Sequence, residues 1–285
     1  MTGGARRVTT PDGVELALHR LRAFRDGRPA VLLVHGAFTN HRFWLRSSDG
    51  TAAGGMAHFL SAAGLDVWLA DLRHHGESAR EPRRGAWTFE DWVLHDTPTL
   101  VARVREETDG APLAWLGHSA GGAAGLCWLA RVAAAAPIRG IVTLGTPGPR
   151  RLGPVRRTLA AATMAVSRLL GRFPARYLRF GNEDEAAEII AEWMEWNVRG
   201  RWLGTDGFDY FAGLAALSTP YLGVAGGSDW IFAPPKACQQ VVERVGAARK
   251  NLAIAPGLSH RGLVLSEQAR TACWPNIVSW LHETL

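Results

Sequence analysis

The sequence predicts an α/β architecture: a mostly parallel central sheet with helices on both faces and a helical cap inserted late in the chain. Three observations predict it. Short apolar runs, at residues 31–34, 67–71, 113–116 and 138–144, alternate with helical stretches of a dozen residues or more, the rhythm of strands joined by crossover helices and covered on both sides. One run leads through Gly117-His118-Ser119-Ala120-Gly121 into a helix of small residues, so that a serine falls in a sharp strand-to-helix turn. From residue 147 to 218 the rhythm breaks, and aromatic-rich helical candidates replace the strands. The expected division is a first core part at 1–146, the cap at 147–218 and a second core part at 219–285.

In order, residues 8–10 and 14–20 are extended and joined by Pro11-Asp12-Gly13. Proline fixes one turn torsion and glycine accepts the positive one, which makes an edge hairpin. Residues 31–34 form a buried strand ending in His35-Gly36-Ala37-Phe38, at the strand edge where open parallel sheets place ligand loops. A helix is expected at 51–63, a strand at 67–71, and then the turn Asp71-Leu72-Arg73-His74-His75-Gly76-Glu77-Ser78. A helix at 91–108 begins anew near Pro98, because proline fits a first turn but not a helix interior. The strand at 113–116, the helix at 120–135 and the strand at 138–144 follow. In the cap, helices are expected at 155–170, 183–196 and 209–217, with most of their aromatics packed and a minority lining a cleft. A strand at 220–225, a helix at 235–246, a strand at 251–254 and a final helix at 266–281 complete the chain.

Composition narrows the function classes. The 285 residues suffice for one large core with an insertion. The net charge of +6 comes from 32 basic against 26 acidic residues, almost all of the former arginine. The arginines are scattered rather than interleaved with aromatics, which argues against a nucleic-acid partner. The densest group, Arg150, Arg151, Arg156 and Arg157, suits an anionic membrane or an acidic substrate. No apolar run reaches spanning length, and the basic N-terminus lacks the apolar stretch of a signal peptide. Cys127, Cys238 and Cys273 are odd in number and far apart, as expected of reduced thiols in a cytoplasmic protein.

The chemistry centres on Ser119. A serine hydroxyl holds its proton tightly at neutral pH and needs a base within reach and an acid to orient that base. Asp229 follows the strand at 220–225, and His260 follows the strand at 251–254. The order Ser119, Asp229, His260 is the order that successive strand ends of this architecture impose. Against the other reading of each, a helix cap at Ser119 would not require flanking glycines, and Asp229 could merely cap the turn before Pro234. The strand at 138–144 ends in Gly145-Thr146-Pro147 and offers no rival acid, while Asp206 and Asp209 fall in the cap. His35, His74, His75 and His118 lack the cysteine or carboxylate partners of a metal site and are expected to bond loop backbones. Asp71 and Arg73 are expected to form an ion pair or turn contacts near the site, and Cys127 to be a buried apolar group. No cofactor or metal is called for.

Taken together, residues 31–36, the Asp71 to Ser78 turn, Gly117 to Gly121, Gly226-Gly227-Ser228-Asp229 and Ser259-His260 resemble an α/β-hydrolase along nearly the whole chain, most closely the esterase and lipase branches that include acid lipases and the polyester synthases and depolymerases. The synthases use cysteine as nucleophile, whereas this elbow holds Ser119, which favours hydrolysis. The resemblance implies an oxyanion hole built from the backbone N–H groups of Ala120 and of Phe38, with Ala37 as the alternative donor. It implies a carboxylic-ester hydrolase, and the Ala, Phe and Trp character of the cap suggests a small apolar ester whose acyl or aromatic part is held away from water. The rival readings are acyl transfer, perhydrolysis or lactone opening on the same triad, and a non-catalytic binding module on a hydrolase fold. Oligomeric state, monomer or homodimer, is left open by the sequence.

Overall fold

The computed structural model describes residues 4–22, 27–47, 54–80, 87–133 and 137–285. Eight strands form one sheet in the order β1-β2-β4-β3-β5-β6-β9-β10. β1 (Arg6–Thr9) and β2 (Glu15–Arg20) make the expected hairpin, and β2 pairs antiparallel with β4 (Asp66–Asp71). From β4 onward every pairing is parallel, through β3 (Ala30–Val34), β5 (Leu113–His118), β6 (Gly140–Leu144), β9 (Tyr221–Gly226) and β10 (Lys250–Ala255).

The apolar runs are uninterrupted because both faces of each inner strand are covered. Leu32 and Val34 point into one core layer with Trp68 and Trp115, while Val31 and Leu33 point into the other with Val67, Leu69 and Leu116. The first layer is closed by α3 (Thr97–Glu107), α4 (Ala120–Val132), α7 (Tyr210–Ala215) and α8 (Pro235–Arg244). The second is closed by α1 (Met56–Ala62), α9 (Gly262–Leu265), α10 (Glu267–Ala272) and α11 (Trp274–Thr284).

Several elements differ in detail from the expectation. The helix at 91–108 is preceded by α2 (Phe89–Asp91), started by a Thr88–Asp91 capping box, and by a π-helical turn over Trp92–Asp96; Pro98 then sits in the first turn of α3. The final helix is two pieces, α10 and α11, the second begun with Pro275 in its first turn, where the missing N–H costs nothing. Residues 51–53 and 134–135 of two expected helices lie outside the described residues.

In the inserted region α5 (Pro154–Leu170) and α6 (Ala187–Arg199) pack together. A two-residue antiparallel pairing, β7 (Arg172–Phe173) with β8 (Glu185–Ala186), joins them where no strand was expected. So short a pairing leaves no periodicity to detect. α6 also begins at Ala187 rather than 183, because Glu183 and Glu185 are drawn into contacts with the core. The last helix of the region, α7, lies against α4 and α8. Gly213 admits this close packing, since a Cβ there would stand 2.6 Å from the Ala130 carbonyl oxygen.

Candidate active site

The chain runs from β3 to one neighbour, β4, and then crosses to β5 on the other side of β3. The C-terminal ends of β3 and β5 therefore diverge around a crevice, the usual ligand position in an open α/β sheet. Ser119 stands there with φ 51° and ψ −118°, a backbone conformation that a β-carbon disfavours and that its surroundings must impose. Its N–H donates to Leu144 O at 2.8 Å, and its carbonyl accepts from Thr146 Oγ1 at 2.9 Å and from Ala123 N at 3.0 Å. The flanking glycines are sterically required. A Cβ on Gly117 would lie 2.4 Å from Gly122 N, and one on Gly121 would lie 2.2 Å from His35 O. The local sequence is thus what lets the turn be this tight.

β9 and β10 deliver the other two residues. His260 Nδ1 and Asp229 Oδ2 are 2.6 Å apart, with Asp229 almost wholly buried and the His260 side chain 12% exposed. Burial alone would raise the Asp229 carboxyl, but the hydrogen bond and charge of His260 and the N–H groups of Ala233 and Phe232 outweigh it and hold the group below the usual carboxylate range. The imidazole lies against the Phe232 ring, 5.0 Å between centroids, and the His118 ring, 4.6 Å away. His118 Nε2 is also 3.1 Å from the His260 carbonyl oxygen. Complete burial, and then the neighbouring His260 charge, push His118 well below its ordinary value. It stays neutral beside His260. Gly145, with φ 60°, leaves room for the ring, since a Cβ there would come within 3.0 Å of Nδ1.

Asp229 and His260 are brought together, and Ser119 is placed next to His118, which contacts His260. Among the described residues no hydrogen bond joins the Ser119 hydroxyl to the His260 ring. Ser119, Ala120, Ala37 and Phe38 all line one cavity of about 240 Å³, whose other walls include Ile189, Ile190, Trp193 and Met194 of α6, with Arg150 and Asn197 as its polar edge. Of the cap aromatics, Trp196, Trp202, Tyr210 and Phe211 are buried, Phe173, Trp193 and Phe208 are half-buried, and Tyr177 and Phe180 are exposed. A larger groove, about 650 Å³, runs between β10 and α11 but contains none of Ser119, Asp229 and His260.

The two alternative oxyanion donors are in different situations. Phe38 N–H is turned toward Glu185 Oε2 at 3.4 Å, and the Phe38 carbonyl accepts from Asn182 N at 2.9 Å and Glu183 N at 3.0 Å. Glu185, fully buried, also faces His75 Nε2 at 3.2 Å. Glu183 accepts from Asn40 Nδ2 at 2.6 Å, Gly76 N and Arg80. Sequence reasoning missed these carboxylates, which clasp the loop after β3 from the cap side. Their only signal was acidic residues inside an aromatic-rich helix candidate.

The remaining candidates have structural partners. His35 Nδ1 lies 2.8 Å from the Gly36 carbonyl oxygen and Nε2 accepts from Leu72 N; burial and the nearby His75 lower it to about 4. Of the two arrangements expected of Asp71 and Arg73, the direct ion pair is not formed: Arg73, beyond the last residue of β4, bonds Asp96 at 2.8 Å and Asp12 at 2.8 Å. Asp71 faces His41 Nδ1 at 2.7 Å and His19 Nε2 at 3.5 Å and makes a turn contact, accepting from Glu77 N at 2.9 Å. His19, His41 and Asp71 offer three ligand atoms within 4.8 Å of one another; the carboxylate also accepts from the N–H groups of His41 and Glu77, while Nε2 of His19 and of His41 is buried without a hydrogen-bond partner. Asp206 pairs with Arg131, and Asp209 caps α7. Cys127 is buried as expected.

The alpha/beta hydrolase family profile matches residues 31–272. The chain belongs to that family. Among curated relatives, lipase member N of Mus musculus is 31% identical over 127 residues, covering 40% of this chain and 31% of its own. Lipase member K of Homo sapiens is 30% identical over 127 residues, with the same coverage. The chain therefore spans about a third of the length of these relatives. Among solved structures, a soluble variant of monoglyceride lipase from Saccharomyces cerevisiae, in complex with a substrate analog, superposes with a TM-score of 0.71 at 19% identity, over 100% of this chain and 96% of that one. A thermophilic esterase from Thermogutta terrifontis gives 0.67 at 18% identity over 99% of both chains. Likeness at that identity is a likeness of fold.

Proposed function

We propose that this alpha/beta hydrolase cleaves carboxylic esters through an acyl-enzyme on Ser119. The observation that carries the reading is the Asp229–His260 bond at 2.6 Å set beside a serine held at φ 51° on the wall of an apolar cavity. With Nδ1 engaged by Asp229, Nε2 is the nitrogen free to accept a proton. His260 takes the proton from Ser119 as the hydroxyl attacks the ester carbonyl, returns it to the leaving alcohol, and then activates water against the acyl-enzyme. The Ser119–His260 contact closes when substrate is bound, as catalytic hydrogen bonds that are loose in the free enzyme commonly do.

For the oxyanion we assign the N–H groups of Ala120, at the start of α4, and of Ala37. Phe38, preferred on the sequence, has its N–H directed at a carboxylate, where it supports the loop rather than receiving substrate charge. Each such donor is worth roughly 3 kcal/mol in the transition state. The α6 wall of Ile189, Ile190, Trp193 and Met194 favours an apolar acyl group. A cavity of about 240 Å³ lies just under the ~300 Å³ lower end of small-molecule sites, so the substrates are short- or medium-chain esters. The names of the lipase relatives support the same class. Three free, buried cysteines support the cytoplasm as the compartment.

The test is labelling of the folded protein with a fluorophosphonate, together with turnover of a chromogenic ester series by wild type and Ser119→Ala. Labelling at Ser119 and a loss of kcat of roughly 10³-fold or more in the variant are expected. Undiminished turnover by Ser119→Ala would remove the mechanism.

A further inference from the structure

The large apolar side chains that this protein leaves in water are not scattered. Among the described residues, nearly all of the exposed ones fall in two segments, residues 155–180 of the cap and residues 230–232 after β9. On α5 they make a stripe: Val155, Leu159, Val166 and Leu170 are 75%, 62%, 51% and 46% exposed. Their spacing of four, seven and four places them on one helix face. The buried residues of α5, Ala160 and Ser167, define a different face, turned toward α6. α5 thus has one apolar side packed and a second facing solvent, which a helix needing only to fold would not require.

The stripe continues to the cavity. Beyond α5, Tyr177 is exposed, and Phe180 meets the ring of Phe232 at 6.0 Å. Phe232 and its neighbour Ile231 line the cavity that holds Ser119. The preceding residue, Trp230, is 74% exposed, and the Arg150 guanidinium donates to the Ile231 carbonyl. The exposed apolar side chains of residues 155–180 thus reach the lining of the site at the Phe180–Phe232 contact.

Its charge identifies what it meets. Residues 147–182 contain eight arginines and no aspartate or glutamate, a local charge of +8 against +6 for the whole chain. Arg168, Arg172 and Arg176 are paired with Glu188 and Asp184. Arg151, Arg156, Arg157 and Arg179 are exposed and form no ion pair among the described residues. A second copy seated on this surface about a two-fold axis would bring two such arrays face to face. Bulky apolar side chains flanked by unpaired arginines fit the headgroup boundary of an anionic bilayer, with side chains entering the acyl region and guanidinium groups at the phosphates.

We propose that the α5 stripe and the 230–232 loop dock this protein on an anionic lipid surface, mouth down, so that an apolar ester passes from the bilayer to the cavity without crossing water. The docking rests on the surface alone and stands whether or not Ser119 is the nucleophile. Among the described residues no helix is long and apolar enough to cross a membrane, so the association is peripheral and reversible.

The experiment is co-sedimentation of the full chain with vesicles of phosphatidylcholine alone and of phosphatidylcholine mixed with phosphatidylglycerol, in low and high salt. Binding is expected to the mixed vesicles and to weaken with salt. Arg156→Glu/Arg157→Glu should weaken it at least about 25-fold, from roughly fivefold per arginine removed. Leu159→Asp/Val166→Asp should abolish it. Circular dichroism and the thermal midpoint check that both variants are folded, and fluorophosphonate labelling, independent of vesicles, separates failure of docking from failure of the proposed chemistry. Equal binding to neutral vesicles, no binding to either, or a dimer that Leu159→Asp/Val166→Asp dissociates would each overturn the proposal.

Discussion

At the scale of single residues, the site depends on side chains whose neighbours leave them one role each. Asp229 is nearly inaccessible, and burial works against its charge; it stays ionised because His260 and two backbone N–H groups bond to it. Asp229→Asn would keep the shape but offer an amide that no longer selects the Nδ1-protonated tautomer. The expected result is a fall in kcat of roughly 10⁴-fold with little change in KM, measured by steady-state turnover of a chromogenic ester. His118, packed against His260 and held neutral by burial, adds no positive charge beside that ring. The three putting residues of the elbow, Gly117, Ser119 and Gly121, were legible in the sequence because their constraint is local: two missing β-carbons and a strained torsion span five residues. Asp229 and His260 were legible because strand ends are few and fall in chain order. The direction of the Phe38 N–H was not, since it is set by a carboxylate nearly 150 residues away.

At the scale of elements, that carboxylate belongs to β8, and β8 exists only through its pairing with β7. Residues 182–185 hold the loop after β3 by both the N–H and the carbonyl of Phe38, and His75 on the β4 side completes the clasp. Burial opposes the charge on His75, but Glu185 overcomes this and raises the imidazole above its ordinary value. The stability this pair contributes is therefore fully present below about pH 6.5 and is lost as pH rises through the higher folded value. Glu185→Gln, which keeps an acceptor for Phe38, should cost about 1–3 kcal/mol at pH 6, with the gap to wild type closing at alkaline pH. Urea titrations at the two pH values measure it; a gap independent of pH would refute the ion-pair account. The helices on either side were readable from periodicity, but a two-residue pairing has none. Nor could periodicity tell that α7, which follows the cap helices in sequence, packs on α4 and α8.

At the scale of the whole molecule, the mostly parallel sheet and both covered faces followed from the alternation of apolar runs and helices, because an inner parallel strand must be apolar on both sides. What the alternation could not supply was the seam between α6 and the core, where like charges meet. Glu192 on α6 is raised to about 8, first by burial and then by the charge of Glu90. Glu90 itself is held by the Tyr210 hydroxyl at 2.6 Å and by Arg131. A folded value above the unfolded one means that the native state binds the proton more tightly. Stability then declines as pH climbs from about 4.5 to about 8. Glu192→Gln removes that decline and should gain about 1–2 kcal/mol at pH 8.5 while changing little at pH 4.5, read as thermal midpoints by calorimetry. An equal gain at both pH values would mean that packing rather than protonation governs the seam.

The double grip on Phe38 also bears on how the cavity breathes. That corner of the rim is tied to the cap, whereas Trp230 and Ile231 stand in solvent. Hydrogen exchange would show the asymmetry directly: protons on the nitrogens of Asn182 and Glu183 should trade with deuterium slowly, while those of Trp230 and Ile231 trade quickly.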